Sequence, residues 1–392
     1  MNSVLQAIQP SATLAISARA KELAAQGASV CNFAAGEPDF DTPDVIKRAA
    51  IAAIEAGKTK YTAAKGMPEL CRAVADKFAR VNGVSYDPAT EILVSSGGKQ
   101  SLVYAFQALL ERGDEVLIPS PAWLSYPEMV RIAGGRPRFV KTSSRTGYKL
   151  TPAQLGKAVR PRTKALVLNY PSNPTGAVYS ASELLALGQV ALERGLWIVA
   201  DEMYERMVYT DEPFASIASL SPELRARTVT VNGCSKAFSM TGWRIGYAGA
   251  PKEVLSLMAA AQSHCASNPC TPAQYAALAA LTDPAAEEAV KPMIAAFRER
   301  ADLIYRRLRK IPGVRVAKPE GAFYIFPNVK SFGLGSVGFC RRLLEEKHVA
   351  AVPGAPFGDD GCIRFSYACS TACIEEGMSR FADFCASLRA PR

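Results

Sequence analysis

Short β-branched or apolar runs alternate with helix-length amphipathic segments between residues 90 and 250. This alternation is typical of an α/β domain, in which helices return the chain to a mostly parallel sheet. Only about ten residues separate the last two runs, and because a parallel crossover needs about a dozen or more, we expect one antiparallel strand there. The sequence therefore predicts a seven-stranded sheet with strands near 91–96, 114–120, 136–140, 164–170, 196–201, 228–233 and 244–250.

A second, smaller domain is expected because 392 residues exceed what a single hydrophobic core usually supports. We predict a large domain over residues 46–290 and a small α/β domain formed by residues 1–45 together with 291–392. The small domain should contain a second sheet, which is indicated by three apolar runs beyond a long helical stretch, at 313–329, 349–358 and 361–368.

The composition excludes several classes of protein. The formal net charge is +10, but basic and acidic residues are interleaved in helical segments, which favours solvated helix faces over a nucleic-acid surface. No run approaches the roughly 18 apolar residues of a membrane span, and the N-terminus lacks a signal-peptide pattern. Ten scattered cysteines without a CxxC pair, with only two histidines, do not indicate a metal site. We expect a soluble, cytoplasmic protein with reduced cysteines, no metal, and neither nucleic acid nor a membrane as partner.

A lysine follows directly after an apolar strand in the segment VNGCSKAFSMTGWRIG. A desolvated amine with cationic neighbours loses its proton readily and can form a Schiff base with an aldehyde, which makes Lys236 a candidate nucleophile. Arg244 offers a planar pair of donors that suits a phosphate dianion. The pattern SKxFxMxGWRIGY resembles the cofactor-lysine signature of class I aminotransferases, which are pyridoxal 5′-phosphate (PLP) enzymes of fold type I. The resemblance implies that Lys236 carries PLP and that Ser235 and Arg244 bind its phosphate.

Polar residues end two further strands, where open α/β sheets bind ligands. Asn173 lies in NYPSNPTG, and Asp201 ends the run LWIVAD. A partly buried carboxylate can keep a pyridine nitrogen protonated. The family resemblance implies that Asp201 pairs with the ring nitrogen of PLP, while Asn173 and Tyr204 hydrogen-bond its phenolic oxygen. Without the other motifs, Asn173 fits a turn equally well and Asp201 fits a helix N-cap.

The segment SSGGKQS places two glycines before a helix, so that free backbone N–H groups can converge on an anion. It matches neither the dinucleotide-binding nor the P-loop pattern. The resemblance assigns the backbone of Gly98 and Lys99 to the PLP phosphate and Trp123 to stacking on the pyridine ring, although a tryptophan there also fits the core. Tyr61 resembles the tyrosine that reaches the cofactor phosphate of the neighbouring subunit, which implies a homodimer with shared active sites.

Substrate recognition is indicated near both ends of the chain. Arg364, on a short predicted strand, suits bidentate binding of a carboxylate. The resemblance implies that Arg364 binds the α-carboxylate of an amino acid. Thr13 and Lys99 would bind a distal carboxylate, and we expect Gly36, Trp123 and Asn173 to contact the substrate as well. Gln9 stands where many relatives have a basic residue, which argues against prephenate.

The resemblance, closest to the aspartate aminotransferase subgroup, predicts transfer of the amino group from L-aspartate or L-glutamate to 2-oxoglutarate or oxaloacetate. Lys236 would move the proton, with Asp201 and Tyr204 completing the catalytic set, in a ping-pong reaction. An aromatic or broad-specificity aminotransferase, a carbon–sulfur lyase and a cyclopropane-forming synthase share the scaffold and remain alternatives. A transcription regulator with an aminotransferase-like lobe would need a DNA-binding domain ahead of Gly36, for which we expect no room.

Overall fold

A computed structural model of the protein describes residues 5–6, 8 and 12–389, with the backbone alone for residues 12–14. The strands, numbered in chain order, are β1 (Cys31–Asn32), β2 (Ile92–Ser95), β3 (Glu115–Ser120), β4 (Arg136–Lys141), β5 (Thr163–Asn169), β6 (Trp197–Asp201), β7 (Thr228–Gly233), β8 (Gly246–Gly249), β9 (Tyr324–Ile325), β10 (Val349–Ala350), β11 (Val352–Pro353) and β12 (Ile363–Ser366).

The α-helices surround these strands and vary from a single turn to 25 residues. They are α1 (Ala12–Ala25), α2 (Asp44–Glu55), α3 (Pro68–Lys77), α4 (Gly98–Leu109), α5 (Ser125–Ile132), α6 (Pro152–Ala158), α7 (Ala181–Glu193), α8 (Pro222–Arg225), α9 (Cys234–Ala237), α10 (Lys252–Cys265), α11 (Thr271–Thr282), α12 (Pro284–Leu308), α13 (Gly335–Lys347) and α14 (Thr371–Ser387). No helix of the described residues is long and apolar enough to cross a bilayer.

Seven strands form the largest sheet, in the order β2-β8-β7-β6-β5-β3-β4. β8 is antiparallel to both of its neighbours, and the remaining pairs are parallel. The prediction of a mostly parallel seven-stranded sheet with one antiparallel strand is therefore confirmed. The short connection between β7 and β8 is the reason, since it holds only the single turn α9 and a loop.

Both faces of this sheet are buried along its inner strands, which explains why strands such as β5 and β6 are apolar at consecutive positions, whereas the edge strand β4 is largely exposed. Along β5, Ala165 and Val167 pack into one hydrophobic cluster with residues of α4 and α10. The alternate residues Leu166 and Leu168 pack into a second cluster with residues of α6 and α7. The helices on the two faces hold the strands rigidly, so the residues that follow each strand have fixed positions.

The C-terminal part of the chain forms smaller sheets. The antiparallel sheet β11-β12-β9 contains Arg364, and β1 pairs in parallel with β10. This pairing joins the N-terminal segment to the C-terminal strands. The domain boundaries at 45/46 and 290/291 stay a prediction, and the second of them falls inside the continuous helix α12.

Candidate active site

A cavity of about 410 Å³ opens where β5, β6 and β7 end, at the edge of the sheet at which open α/β folds bind ligands. Most of the residues that the sequence predicts for the site line this cavity, although they lie far apart in the chain. They are Gly36, Gly98, Lys99, Trp123, Asn173, Asp201, Tyr204, Ser235, Lys236, Arg244 and Arg364.

Lys236 lies on the single-turn helix α9, which follows β7 directly, and its Nζ donates a hydrogen bond to the carbonyl of Gly36. Burial lowers the pKa of this amine to about 8, because the charged form loses its hydration. The carboxylate of Glu37 opposes that shift, and the positive charges of Arg244 and Arg364 add to it. The amine is thus poised to give up its proton near neutral pH, as a nucleophile or a base requires.

Asp201 ends β6 and is almost completely buried. Burial raises the pKa of its carboxyl, while a hydrogen bond from the hydroxyl of Tyr126 at 2.6 Å and one from the backbone N–H of Met203 at 3.2 Å oppose the rise. Asn169, at the end of the neighbouring strand β5, donates to the backbone carbonyl of Asp201 at 3.1 Å and accepts from the N–H of Asn173 at 2.9 Å. These hydrogen bonds connect the ends of β5 and β6 next to the carboxylate of Asp201.

Arg364 brings a buried positive charge into the same cavity, since the residue is only 2% exposed. Its Nη1 donates to Asn173 Oδ1 at 3.1 Å and its Nη2 to the carbonyl of Ala34 at 2.9 Å, both neutral acceptors. Its Nε has no hydrogen-bond partner among the described residues. Burial lowers the pKa of this guanidinium. A buried cation with neutral acceptors and one unused donor favours an anionic ligand.

A second cationic region surrounds the glycine turn before α4. Gly97 has φ +86°, and a Cβ there would lie 2.3 Å from Arg244 Nη2, so the guanidinium packs directly on the turn. Arg244 itself has φ +57° and donates to the carbonyls of Thr241 and Ser96 at 2.9 and 3.4 Å. The N-terminus of α4 begins at Gly98, so helix N–H groups and a guanidinium meet where the sequence predicts a phosphate.

Two aromatic residues border the space between these regions. Lys99 Nζ lies 4.9 Å from the centroid of the Trp123 ring, and burial together with the charge of Arg244 lowers the pKa of this amine. The hydroxyl of Tyr204 lies 3.0 Å from that of Tyr324, and burial raises the pKa of Tyr204 well above its usual value.

Two predicted site residues are absent from the cavity lining that the described residues form. Tyr61 is 88% exposed and does not line it, so its role in a neighbouring subunit stays a prediction. The side chain of Thr13, and Gln9, lie outside the described residues. The sequence reasoning did not identify several lining residues: Leu102, Ser125, Tyr126, Asn169, Met203, Thr241 and Tyr324. A usable signal existed for Tyr126, which is part of the segment SPAWLSYPEM, and for Asn169, which is a polar residue next to the end of the strand predicted at 164–170.

The side chains of the cavity fit PLP. A lysine with a lowered pKa suits the aldehyde, a buried carboxylate suits the pyridine nitrogen, and a helix N-terminus with Arg244 suits the phosphate. The sequence profile of the family described as "Aminotransferase class I and II" matches residues 28–381. The chain belongs to this family of aminotransferases. Its members are PLP-dependent, so PLP is the cofactor of this enzyme.

Individual relatives extend the match over almost the whole chain. The aspartate aminotransferase of Geobacillus stearothermophilus is 50% identical over 96% of both chains, and the aspartate/prephenate aminotransferase of Cereibacter sphaeroides is 48% identical over 99% of both. The structure of the Thermus thermophilus aspartate aminotransferase with maleate superimposes with a TM-score of 0.94 at 45% identity, covering 98% of this chain and 99% of that one. The predicted fold, a PLP-dependent transferase of fold type I, is confirmed.

Proposed function

We propose that this aminotransferase exchanges the amino group between L-aspartate or L-glutamate and the 2-oxo acids 2-oxoglutarate and oxaloacetate. The observation that carries the proposal is the presence of two cations, the buried Arg364 and the more exposed Lys99, in one cavity together with Lys236. Two cations suit the two carboxylates of a dicarboxylic substrate. Relatives named for aspartate support the same substrate.

The residues would divide the work between binding and proton transfer. Bound PLP withdraws electrons from the α-carbon of the amino acid. Lys236 would take the α-proton and deliver it on the other side of the transferred nitrogen, and burial, which lowers the pKa of its amine to about 8, favours the neutral form that accepts a proton. Arg364 binds the α-carboxylate of the substrate. Lys99 and Thr13 bind its distal carboxylate. The backbone of Gly36 contacts the substrate beside them.

The remaining residues would hold the cofactor. Asp201 keeps the ring nitrogen protonated, and Asn173 with Tyr204 donates to the phenolic oxygen. Trp123 stacks on the ring and contacts the substrate together with Asn173. The phosphate is bound by the backbone of Gly98 and Lys99 and by the side chains of Ser235, Arg244 and, from a second copy of the chain, Tyr61. The large domain over residues 46–290 would carry this cofactor site, and the small domain would supply Gly36 and Arg364.

The half-reaction tests the proposal. The purified holoenzyme is given L-aspartate alone, and the absorbance of protein-bound PLP should disappear and return when 2-oxoglutarate is added, as ping-pong transfer requires. Lys236→Ala should abolish both changes. Release of ammonia or pyruvate without any 2-oxo acid would instead indicate a lyase, and a higher kcat/KM for phenylalanine than for aspartate would indicate an aromatic aminotransferase.

The choice of dicarboxylates has a separate test at Lys99. Lys99→Met should lower kcat/KM for aspartate by about 10- to 100-fold, the loss of one hydrogen bond to a charged group, and leave that for phenylalanine within a few-fold. Lys291→Met, which removes an exposed lysine of α12, is the matched control and should change neither value. An equal loss for both substrates would contradict the role given to Lys99.

A further inference from the structure

A group of three thiols lies outside the cavity, where the last helix meets the N-terminal segment. Cys31 begins β1, Cys369 lies in the turn between β12 and α14, and Cys373 is in the first turn of α14. The sequence separates Cys31 from the other two by more than 300 residues, and the fold brings all three together. Neither cofactor binding nor amino transfer uses them.

The sulfur of Cys373 is surrounded by donors. The thiols of Cys369 and Cys31 and the backbone N–H of Asn32 all hydrogen-bond to it. The N–H of Asn32 is available because the ladder with β10 uses the N–H groups of Cys31 and Phe33 instead. Cys373 also lies at the N-terminal end of a 17-residue helix, which favours a negative charge.

These contacts stabilise a thiolate at one of the three sulfurs. Hydrogen bonding, first from Cys369 and then from Cys31 and Asn32, outweighs burial and lowers the pKa of Cys373 to about 7. Burial raises the pKa of Cys31 to about 11, and the hydrogen bond with Cys373 raises that of Cys369. The contacts therefore favour the thiolate at Cys373 and the protonated thiol at the other two sulfurs.

The charges around the cluster are few and partly paired. Glu376, one turn along α14, opposes the thiolate, and it forms an ion pair with Arg380 on the same helix. From other elements, Asp39 and Arg300 face Cys369 and pair with each other at 2.7 Å. The environment is thus close to neutral, which leaves the hydrogen bonds and the helix to set the charge of Cys373.

Packing holds α14 tightly against β1 at this point. A Cβ on Gly377, one turn after Cys373, would lie 2.3 Å from the ring of Phe33 and 3.1 Å from Cβ of Cys31. The absence of a side chain at this glycine lets the helix approach, and the approach places Cys373 over Asn32. The approach of this turn of α14 to β1 is therefore fixed by the packing of the backbone.

We propose that Cys373 is a site of oxidation by hydroperoxides and that Cys369 converts the oxidised form into an intramolecular disulfide. The thiolate attacks the terminal oxygen of the hydroperoxide, the O–O bond breaks, and Cys373 becomes a sulfenic acid, while the remaining alkoxide or hydroxide takes a proton from water and leaves as an alcohol or water. The sulfur of Cys369 then attacks that of Cys373, an S–S bond replaces the S–O bond, and water leaves with the proton of Cys369.

Cys369 is the resolving residue because it is accessible and adaptable. Cys369 and Cys373 are both half-buried, so a small oxidant reaches them, whereas Cys31 is 3% exposed. Cys369 precedes the N-cap Ser370 and lies outside the helix, so its backbone can adjust to disulfide geometry. The backbone of Cys31 is instead held by a hydrogen bond from its N–H to the carbonyl of His348.

Peptide mapping of the holoenzyme after treatment with hydrogen peroxide tests the proposal. Cys369 and Cys373 share one tryptic peptide, residues 365–380, so their disulfide appears as an unalkylated peptide lighter by two hydrogens. Cys369→Ser should instead leave a sulfenic acid at Cys373 that dimedone traps, and Cys373→Ser should leave Cys369 reduced. Cys270→Ser, which removes an exposed thiol at the start of α11, should leave the disulfide unchanged.

A second measurement does not depend on peroxide. The rate of alkylation of Cys373 by iodoacetamide should be half-maximal near pH 7, and Cys369→Ser should move this midpoint to higher pH by removing a donor. A midpoint at about 8.5, the value of an ordinary thiol, would overturn the proposal. So would oxidation of Cys270 ahead of Cys373, or a disulfide that joins Cys373 to the peptide of Cys31. Since the readouts are chemical, they stand or fall independently of the amino-transfer reaction.

Discussion

The carboxyl of Asp201 is subject to two opposing effects. Burial favours its neutral form, and the hydroxyl of Tyr126 favours the carboxylate by donating a hydrogen bond at 2.6 Å. The proposed role, pairing with a protonated pyridine nitrogen, requires the carboxylate. We therefore expect Tyr126 to act through Asp201, as a positioning residue that favours the charged form of the carboxyl.

Tyr126→Phe should move the acidic limb of the pH profile of kcat/KM to higher pH. Loss of the donor raises the pKa of Asp201 further, so that a higher pH is needed to keep the carboxylate ionised. A hydrogen bond to a charged group contributes about 1.5–3 kcal/mol, which corresponds to a shift of about 1–2 pH units. Tyr104→Phe is the control, because the hydroxyl of this buried tyrosine accepts a hydrogen bond from the side-chain amide of Gln100, outside the cavity. An unchanged acidic limb in Tyr126→Phe would refute the role.

At the level of residues, the sequence allowed a prediction where one motif holds both the chemistry and its context. Lys236 with Arg244, and Asp201 with Tyr204, are of this kind, and the cavity contains all four. Tyr126 lies in the same segment as Trp123 and could have been singled out, but its contact with Asp201, 75 positions away, is not indicated by local sequence. The thiol cluster was missed for the same reason, since a scattered set of cysteines shows no spacing pattern.

Among the elements, the antiparallel strand β8 passes very close to the glycine turn before α4. A Cβ on Gly246 would lie 2.1 Å from the backbone nitrogen of Gly98 and 2.3 Å from the carbonyl carbon of Gly97. Real atoms cannot approach so closely, so this position needs a glycine. This contact fixes the position of the glycine turn, whose N–H groups we expect to bind the phosphate.

Gly246→Ala should therefore weaken PLP binding and destabilise the fold together. Forcing one extra carbon into this contact costs about 1–3 kcal/mol. The resulting displacement would move the glycine turn before α4, which we expect to bind the phosphate. Titration with PLP and urea unfolding measure the two effects. Gly338→Ala is the control, since a Cβ on this helical glycine of α13 would meet no other atom within 4 Å. Gly338→Ala should leave the free energy of unfolding unchanged or raise it by about 0.5–1 kcal/mol. Equal PLP affinity and equal stability in the two variants would contradict the role given to Gly246.

A buried polar network joins α3 to the sheet behind Asp201. Lys77 forms an ion pair with Glu205 and donates to Asn82 at 2.9 Å, and Asn232 on β7 donates to Glu205 at 2.6 Å. Asn82 also donates to Glu202 at 2.9 Å. Burial raises the pKa of Glu202 to about 8, so Lys77 and Glu205 carry the main charge pair of this network.

Lys77→Met should lower the free energy of unfolding by about 3–5 kcal/mol, because it leaves the carboxylate of Glu205 buried without its cation. The double variant Lys77→Met/Glu205→Gln should recover a large part of this loss, since the amide oxygen still accepts from Asn232, and from Asn82 at 2.7 Å, without carrying a charge. Lys291→Met breaks an exposed pair with Glu288 and should change stability by less than about 1 kcal/mol. Urea unfolding compares all three, and failure of the double variant to recover would show that the charge is not the cause.

The elements themselves were predictable to different degrees. The inner strands of the large sheet were predicted closely because burial on both faces makes them largely apolar runs. The pairing of β1 with β10 was not visible in the periodicity, because each strand has two residues and more than 300 residues separate them. Such a pairing depends on long-range packing, which local sequence does not encode.

On the scale of the whole molecule, one surface region suggests a second copy of the chain. Ile51 and Ile54 on α2 are 53% and 54% exposed, and Tyr61 shortly after them is 88% exposed. Exposed large apolar side chains close together in the sequence fit a surface that a partner covers. The proposed homodimer would bury them and bring Tyr61 to the other active site.

Mixing two impaired variants distinguishes a shared active site from a self-contained one. Tyr61→Ala should weaken PLP binding by about 10- to 100-fold through loss of a charge-assisted hydrogen bond, and Lys236→Ala should be inactive. In a mixed dimer, the chain with an intact Lys236 receives Tyr61 from its partner, so one complete site is restored. After random reassociation, half of the dimers are mixed, and at limiting PLP the mixture should reach about a quarter of wild-type activity. If Tyr61 served its own chain, or if the chain were monomeric, the mixture would show only the sum of its two components.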